Sequence, residues 1–180
     1  MKEIGLENVR FCRHLMTRLG ELYYNSFPPE ERRAWDNIQQ LLAADNSPYN
    51  IDVILYRGDF VGFVSWWQFP TFCYVEHFAV EPAMRGEGIG SRVIMQFVKN
   101  MAMPIVLEVE LPGSSEVACH RIAFYSRNGF KPNADFEYMQ PSYGDGLPSV
   151  PLMLMTIGMS VDVDLEQIAQ QLHEVVYGVK

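Results

Sequence analysis

The chain has 180 residues, of which 48% are hydrophobic and 20% charged, a composition that is typical of one globular domain and excludes a disordered chain. The 14 basic and 22 acidic residues give a formal net charge of −8, which argues against a general surface for nucleic acid or for anionic membranes. Three cysteines provide no disulfide framework, and the sequence has neither an apolar signal core nor an apolar run long enough to cross a bilayer. We therefore expect a single cytoplasmic domain over residues 1–180, without a metal.

Hydrophobic periodicity predicts two helices, then three strands, a helix, a strand, a helix, two strands and a last helix. The predicted helices cover residues 8–26, 30–44, 91–103, 115–128 and 165–177. The predicted strands cover residues 51–56, 60–69, 72–80, 104–111, 130–139 and 150–159. This mixture indicates an α/β or α+β fold around one sheet.

The stretch 81–91 joins the third predicted strand to the helix that follows, and it carries glycines at alternate positions. These are Gly86, Gly88 and Gly90. Glycines let a backbone approach a ligand closely, and the amides at the start of a helix favour an anion. Arg85 adds a cation and Ser91 a hydroxyl. The stretch matches neither G-x-x-x-x-G-K-[ST] nor G-x-G-x-x-G, so it predicts a phosphate or pyrophosphate site of another kind.

Two motifs stand about 40 residues apart in this chain. The first, HFAVEPAMRGEGIG, runs from His77 to Gly90, and the second, AFYSRNGF, runs from Ala123 to Phe130. Together with the strand sequence LEVE at 107–110, they resemble the GNAT superfamily of acyl-CoA-dependent N-acetyltransferases. The resemblance implies a mixed, mostly antiparallel sheet of about six or seven strands, splayed between the fourth and fifth strands and flanked by helices.

The resemblance also implies that acetyl-CoA is the co-substrate and that the glycine stretch holds its pyrophosphate. The residues implied in cofactor binding are Phe78, Ala79, Val80, Arg85, Gly86, Gly88, Ile89, Gly90 and Ser91. Tyr125 matches the family's tyrosine that faces the CoA sulfur, where its phenol would protonate the departing thiolate as a general acid.

Glu76 is the predicted general base. In related enzymes an acid or a histidine on this strand accepts the proton of the amine, directly or through water, and Glu76 occupies a matching place. Side chains alternate between the faces of a strand, so Glu76 shares a face with Phe78 and Val80, whereas His77 points to the other face. His77 is the alternative base, and a β-bulge would reverse the parity argument.

The predicted acceptor site combines aromatic rings with a carboxylate, which suits an amine with an apolar body. The residues predicted to line it are Phe27, Glu30, Trp66 and Tyr143. We expect an acetyltransferase that serves the primary amine of a small molecule by direct attack in a ternary complex. Two alternatives stay open: a module that senses acyl-CoA without turnover, and transfer to a protein or peptide amine. A homodimer is the family-level expectation, with neither nucleic acid nor membrane as a partner.

Overall fold

The computed structural model describes residues 3–160 and 162–179, in which helices and strands are mixed along the chain. The strands are β1 (Ile4–Asn8), β2 (Tyr49–Tyr56), β3 (Asp59–Gln68), β4 (Cys73–Val80), β5 (Ile105–Glu110), β6 (Lys131–Pro132), β7 (Tyr138–Gln140) and β8 (Val150–Ile157). The α-helices are α1 (Met16–Ser26), α2 (Trp35–Ala43), α3 (Ile89–Met101), α4 (Glu116–Arg127) and α5 (Leu165–Gln171). Short 3-10 turns cover Val9–Phe11, Arg13–Leu15, Pro29–Glu31 and Pro82–Met84, and a π-helical turn covers Leu172–Val176.

The chain divides into two compact units. The first unit comprises Met1–Pro28 and Ala34–Met103, and the second comprises Pro29–Arg33 and Pro104–Lys180. The predicted fold class is confirmed, because helices accompany antiparallel strands in both units. The described residues form eight strands, against the six or seven expected. The single domain and the splay between the fourth and fifth strands stay predictions.

In the first unit the strands lie in the order β1-β2-β3-β4, and each neighbouring pair is antiparallel. Side chains alternate along β3, so Phe63 and Trp66 lie on opposite faces. α1 packs on the first face, where the rings of Tyr23 and Phe63 are 6.1 Å apart. α3 packs on the second face, where the rings of Phe97 and Trp66 are 6.0 Å apart.

In the second unit β8 pairs antiparallel with β5, β6 and β7. Most of β5 is buried, and its two half-buried side chains, Glu108 and Glu110, share one face of the strand. None of the helices in the described ranges is both long enough and apolar enough to span a membrane.

Three sequence predictions of element boundaries were wrong. The second helix, predicted over residues 30–44, begins only at Trp35, after the 3-10 turn Pro29–Glu31. Residues 8–15 are not α-helical, since β1 occupies Ile4–Asn8 and two short 3-10 turns fill the stretch before α1. β1 is an edge strand whose place depends on pairing with β2, which no local pattern reveals. The predicted strand over 130–139 is interrupted, because Pro132 lacks a backbone N–H and a turn follows in which Phe136 N donates to Asn133 O.

Candidate active site

The connection from β4 to α3 presents an open backbone surface. Gly86 and Gly88 have φ angles of 86° and 72°, in the left-handed region that favours glycine. A Cβ at either position would meet no heavy atom within 4 Å. Gly88 is also the N-cap of α3, and a glycine supplies no side chain to cap the first turn of that helix. A helix start whose N-cap has no side chain, behind an open glycine turn, leaves room for a pyrophosphate group, and its binding there stays a prediction.

Arg85 ties this turn to the end of β4, because its Nε donates to Val80 O at 3.0 Å. The Arg85 side chain forms no ion pair with any residue that the structure describes. Ile89 is buried and anchors the first turn of α3, whereas Gly90 and Ser91 are half-buried beside it. The residues predicted to hold the anion therefore lie within one continuous turn.

The strand residues implied in cofactor binding depend on a glycine that could not be identified from the sequence. Phe78 is half-buried, and Ala79 and Val80 are buried, at the end of β4. Gly62 of β3 pairs with Val80, and a Cβ on Gly62 would lie 2.3 Å from Ala79 O. Only glycine lets β3 approach the end of β4 this closely.

β4 carries a bulge at the predicted base. Ser65 pairs with His77 and Trp66 pairs with Val75, so Glu76 is the extra residue of β4. Glu76 and His77, which we call the bulge pair, have their side chains 3.9 Å apart (Oε2 to Nδ1). The prediction that the two point to opposite faces was wrong, because the extra residue shifts the alternation.

The bulge pair is enclosed. The side chain of Glu76 is 0% exposed and that of His77 is 2% exposed. Trp67 Nε1 donates to Glu76 Oε2 at 2.9 Å, and this contact fixes the carboxylate. The buried carboxylate fits proton transfer through a bridging water better than direct contact with an amine.

An aromatic shell surrounds His77. Its ring lies 4.6 Å from that of Phe27 and 5.0 Å from that of Tyr23, both in edge-to-face geometry. Its Nδ1 is 3.2 Å from Ser65 Oγ, and the tautomer of the imidazole decides which atom donates. The His77 imidazole is thus surrounded by the ring of Tyr23 from α1 and by the ring of Phe27, the residue that follows α1.

Tyr125 lies in α4 of the second unit and is buried. Burial raises the pKa of its phenol to about 12, with a smaller upward effect from Glu110 and an opposing effect from Arg121. Rings of Phe124 and Phe130 pack at 5.1 and 5.5 Å. The phenol is therefore protonated at neutral pH, the form that a proton donor requires.

Two of the predicted acceptor residues lie in the first unit, on opposite faces of β3 and β4. Phe27 lies beside His77, on the face of the bulge pair. Trp66 lies on the other face, where its Nε1 donates to Asp52 Oδ2 at 3.0 Å and its ring packs on Phe97. The structure thus groups Phe27, and not Trp66, with the predicted base.

The other two predicted acceptor residues lie in the second unit. Glu30 belongs to the turn Pro29–Glu31, and its backbone O accepts from Gln140 Nε2 at 3.3 Å. The ring of Tyr143 packs 5.1 Å from that of Tyr177, and the Arg33 guanidinium lies 5.0 Å over it.

Glu108 of β5 accepts hydrogen bonds from two phenols, those of Tyr138 and Tyr177, the latter at 2.8 Å. Burial and the neighbouring carboxylate raise the pKa of Tyr138 well above its usual range. Tyr138 therefore keeps its proton and donates to Glu108, and the Tyr177 phenol donates to the other carboxylate oxygen. The sequence shows Glu108 on a strand but not its partners, which come from β7 and the C-terminal segment.

Comparison with known proteins agrees with this geometry. Residues 47–132 match the sequence model of the acetyltransferase (GNAT) domain. A Bacteroides thetaiotaomicron protein, provisionally described as a GNAT-family acetyltransferase, is 36% identical, with a TM-score of 0.88 over 98% of this chain and 99% of its own. The chain therefore belongs to the GNAT family of acetyltransferases, which confirms the resemblance and the enzyme class.

Two further relatives are more distant. YjbC of Bacillus subtilis (strain 168), also provisionally described as an acetyltransferase, is 27% identical over 117 residues, which are 64% of this chain and 58% of YjbC. This chain thus spans less than two-thirds of that relative. A GNAT family acetyltransferase from Elizabethkingia anophelis, solved with acetyl-CoA bound, shares the fold with 13% identity and a TM-score of 0.57 over 88% of this chain and 100% of its own.

Proposed function

We propose that this chain transfers the acetyl group of acetyl-CoA to the primary amine of a small molecule. The observation that supports this most directly is the open glycine turn at Gly86 and Gly88, the latter being the N-cap of α3. The protein carries a formal net charge of −8, so a polyanionic co-substrate needs such a local site of positive potential.

The amine must lose a proton as its nitrogen attacks the acyl carbon. Glu76 accepts this proton through a water, and Trp67 holds the carboxylate in place. Acetyl-CoA supplies the activated acyl group when bound. No covalent acyl-enzyme is required, since attack is direct.

Tyr125 is the proton donor to the sulfur of the departing CoA. A phenol with a pKa of about 12 loses its proton to a thiolate, of pKa about 8.5, at a cost of roughly 5 kcal/mol. Tyr125 therefore begins as a hydrogen-bond donor to the sulfur and completes proton transfer only as the carbon–sulfur bond breaks.

One observation favours the sensor alternative: the carboxylate of Glu76 has no exposed surface. A module that binds acyl-CoA without turnover needs the glycine turn but no accessible base. Turnover and binding must therefore be measured separately.

The test is CoA release from acetyl-CoA with a panel of small primary amines and a peptide with a free amino terminus. Turnover with a small amine supports the proposal; tight acetyl-CoA binding without CoA release from any amine supports the sensor. Tyr125→Phe is expected to lower kcat by about 100-fold. The matched control is Tyr56→Phe, which removes a phenol that donates to Glu3 and should leave kcat unchanged.

A further inference from the structure

A cavity of about 330 Å³ lies in the first unit, and its lining includes no residue of the glycine turn or of the bulge pair. Its walls come from the 3-10 turns before α1, the first residue of α1 and the last turn of α2. The apolar part of the lining is Val9, Met16 and Leu42, and the basic part is Arg10 and Arg13. A volume of roughly 300–1,000 Å³ is usual for small-molecule sites.

Arg10 is held rigidly by neutral groups. Its Nε donates to Leu42 O at 3.2 Å, its Nη1 to Asn50 Oδ1 at 3.1 Å and its Nη2 to Tyr49 O at 3.4 Å. These contacts use three of the roughly five guanidinium N–H groups. The side chain is half-buried, so its orientation is set before any ligand arrives.

Neither arginine of the cavity forms an ion pair with any residue in the described ranges. Elsewhere in the protein, Arg18, Arg92 and Arg121 each lie within 4.0 Å of a carboxylate. Arg10 is half-buried and Arg13 is exposed. A half-buried charge without a counterion is costly, so Arg10 favours an anion in the cavity, and Arg13 adds a second positive charge to its wall. Acidic residues outnumber basic ones in this chain, 22 to 14, and even so none in the described ranges forms an ion pair with Arg10 or Arg13.

We propose that this cavity binds a small organic carboxylate with an apolar body. The carboxylate contacts the N–H groups of Arg10 and Arg13, because a guanidinium and a carboxylate match in geometry. The apolar body lies against Val9, Met16 and Leu42. This inference does not depend on the proposed acetyl transfer.

The test measures binding of octanoate to the intact protein at low salt by isothermal titration calorimetry, with octanol and octylamine as probes of equal chain length. We expect octanoate alone to bind at about 1 mM or below. Arg13→Gln should weaken octanoate binding about tenfold or more, whereas Arg127→Gln, an exposed arginine of α4 that also lacks a described ion pair, should not. The two variants change the net charge equally, so they separate a local contact from the overall field.

A second variant tests the cavity itself. Ala43→Trp places a ring in the cavity without removing either arginine, and it should abolish octanoate binding. Octanol binding as tightly as octanoate, equal affinities for the two glutamine variants, or no octanoate binding at about 1 mM would each overturn the proposal.

Discussion

Replacing Gly88 by alanine tests the anion site with one methyl group. Gly88 has a φ of 72°, and a Cβ there would have no heavy atom within 4 Å, so alanine creates no clash. The remaining cost is the left-handed backbone, about 1–2 kcal/mol for an L-residue. In a chain of 180 residues this lowers the Tm by roughly 2–8 °C.

The effect on the ligand is separate from this loss of stability. The methyl group would project into the open space in front of α3, where the pyrophosphate is proposed to bind. We expect the affinity for acetyl-CoA, measured by calorimetry, to fall about tenfold or more, which corresponds to about 1.4 kcal/mol.

Gly58→Ala is the matched control. Gly58 lies between β2 and β3, with a φ of 95° and no heavy atom within 4 Å of a built Cβ. Both variants should lose similar stability, but only Gly88→Ala should lose affinity for acetyl-CoA. Equal affinities for the two variants would refute the assignment of the turn. Binding is the readout, so the result does not depend on knowing the acceptor amine.

Three further changes test the surroundings of the site. Trp67→Phe removes the N–H that donates to Glu76, and it should lower kcat by about tenfold while acetyl-CoA binding, measured by calorimetry, is kept. Gly62→Ala puts a Cβ 2.3 Å from a strand carbonyl, so urea unfolding should show a loss of about 3 kcal/mol, and an unchanged stability would contradict the close approach. Burial raises the pKa of the Asp52 carboxyl in the folded protein. The stability that this carboxyl contributes is therefore full below its unfolded pKa of about 4, and it is lost as the pH rises through the raised folded pKa. Asp52→Asn, which keeps an acceptor for Trp66, should therefore gain stability over the parent at pH 7 and lose that gain near pH 4, as measured by urea unfolding at both pH values.

The glycine turn could be predicted from the sequence because its determinants are local. Gly86 and Gly88 stand between a strand and a helix, and their positive φ angles are what alternate glycines in such a place allow. Gly62 carried no such signal, since the atom that excludes a Cβ belongs to β4 and not to its own neighbours in the chain.

The two candidate bases on β4 could be named from the sequence, but the directions of their side chains could not. The predicted directions of the side chains assumed that each residue of β3 pairs with one residue of β4. The pairing of Ser65 with His77 and of Trp66 with Val75 leaves one extra residue in β4 and breaks that assumption. Nothing in the sequence around Glu76 marks it as the extra residue. The same limit applies to Glu108, whose phenol partners lie 30 and 69 residues further along the chain.

The bulge also changes what a substitution at the base can reveal. Glu76 Oε2 and His77 Nδ1 are 3.9 Å apart and both side chains are almost fully buried, so replacing either one disturbs the other. Loss of activity in a variant of either residue therefore does not by itself identify the base. Trp67 contacts the Glu76 carboxylate directly, so the effect of removing its N–H distinguishes a role of the carboxylate from a role of the imidazole.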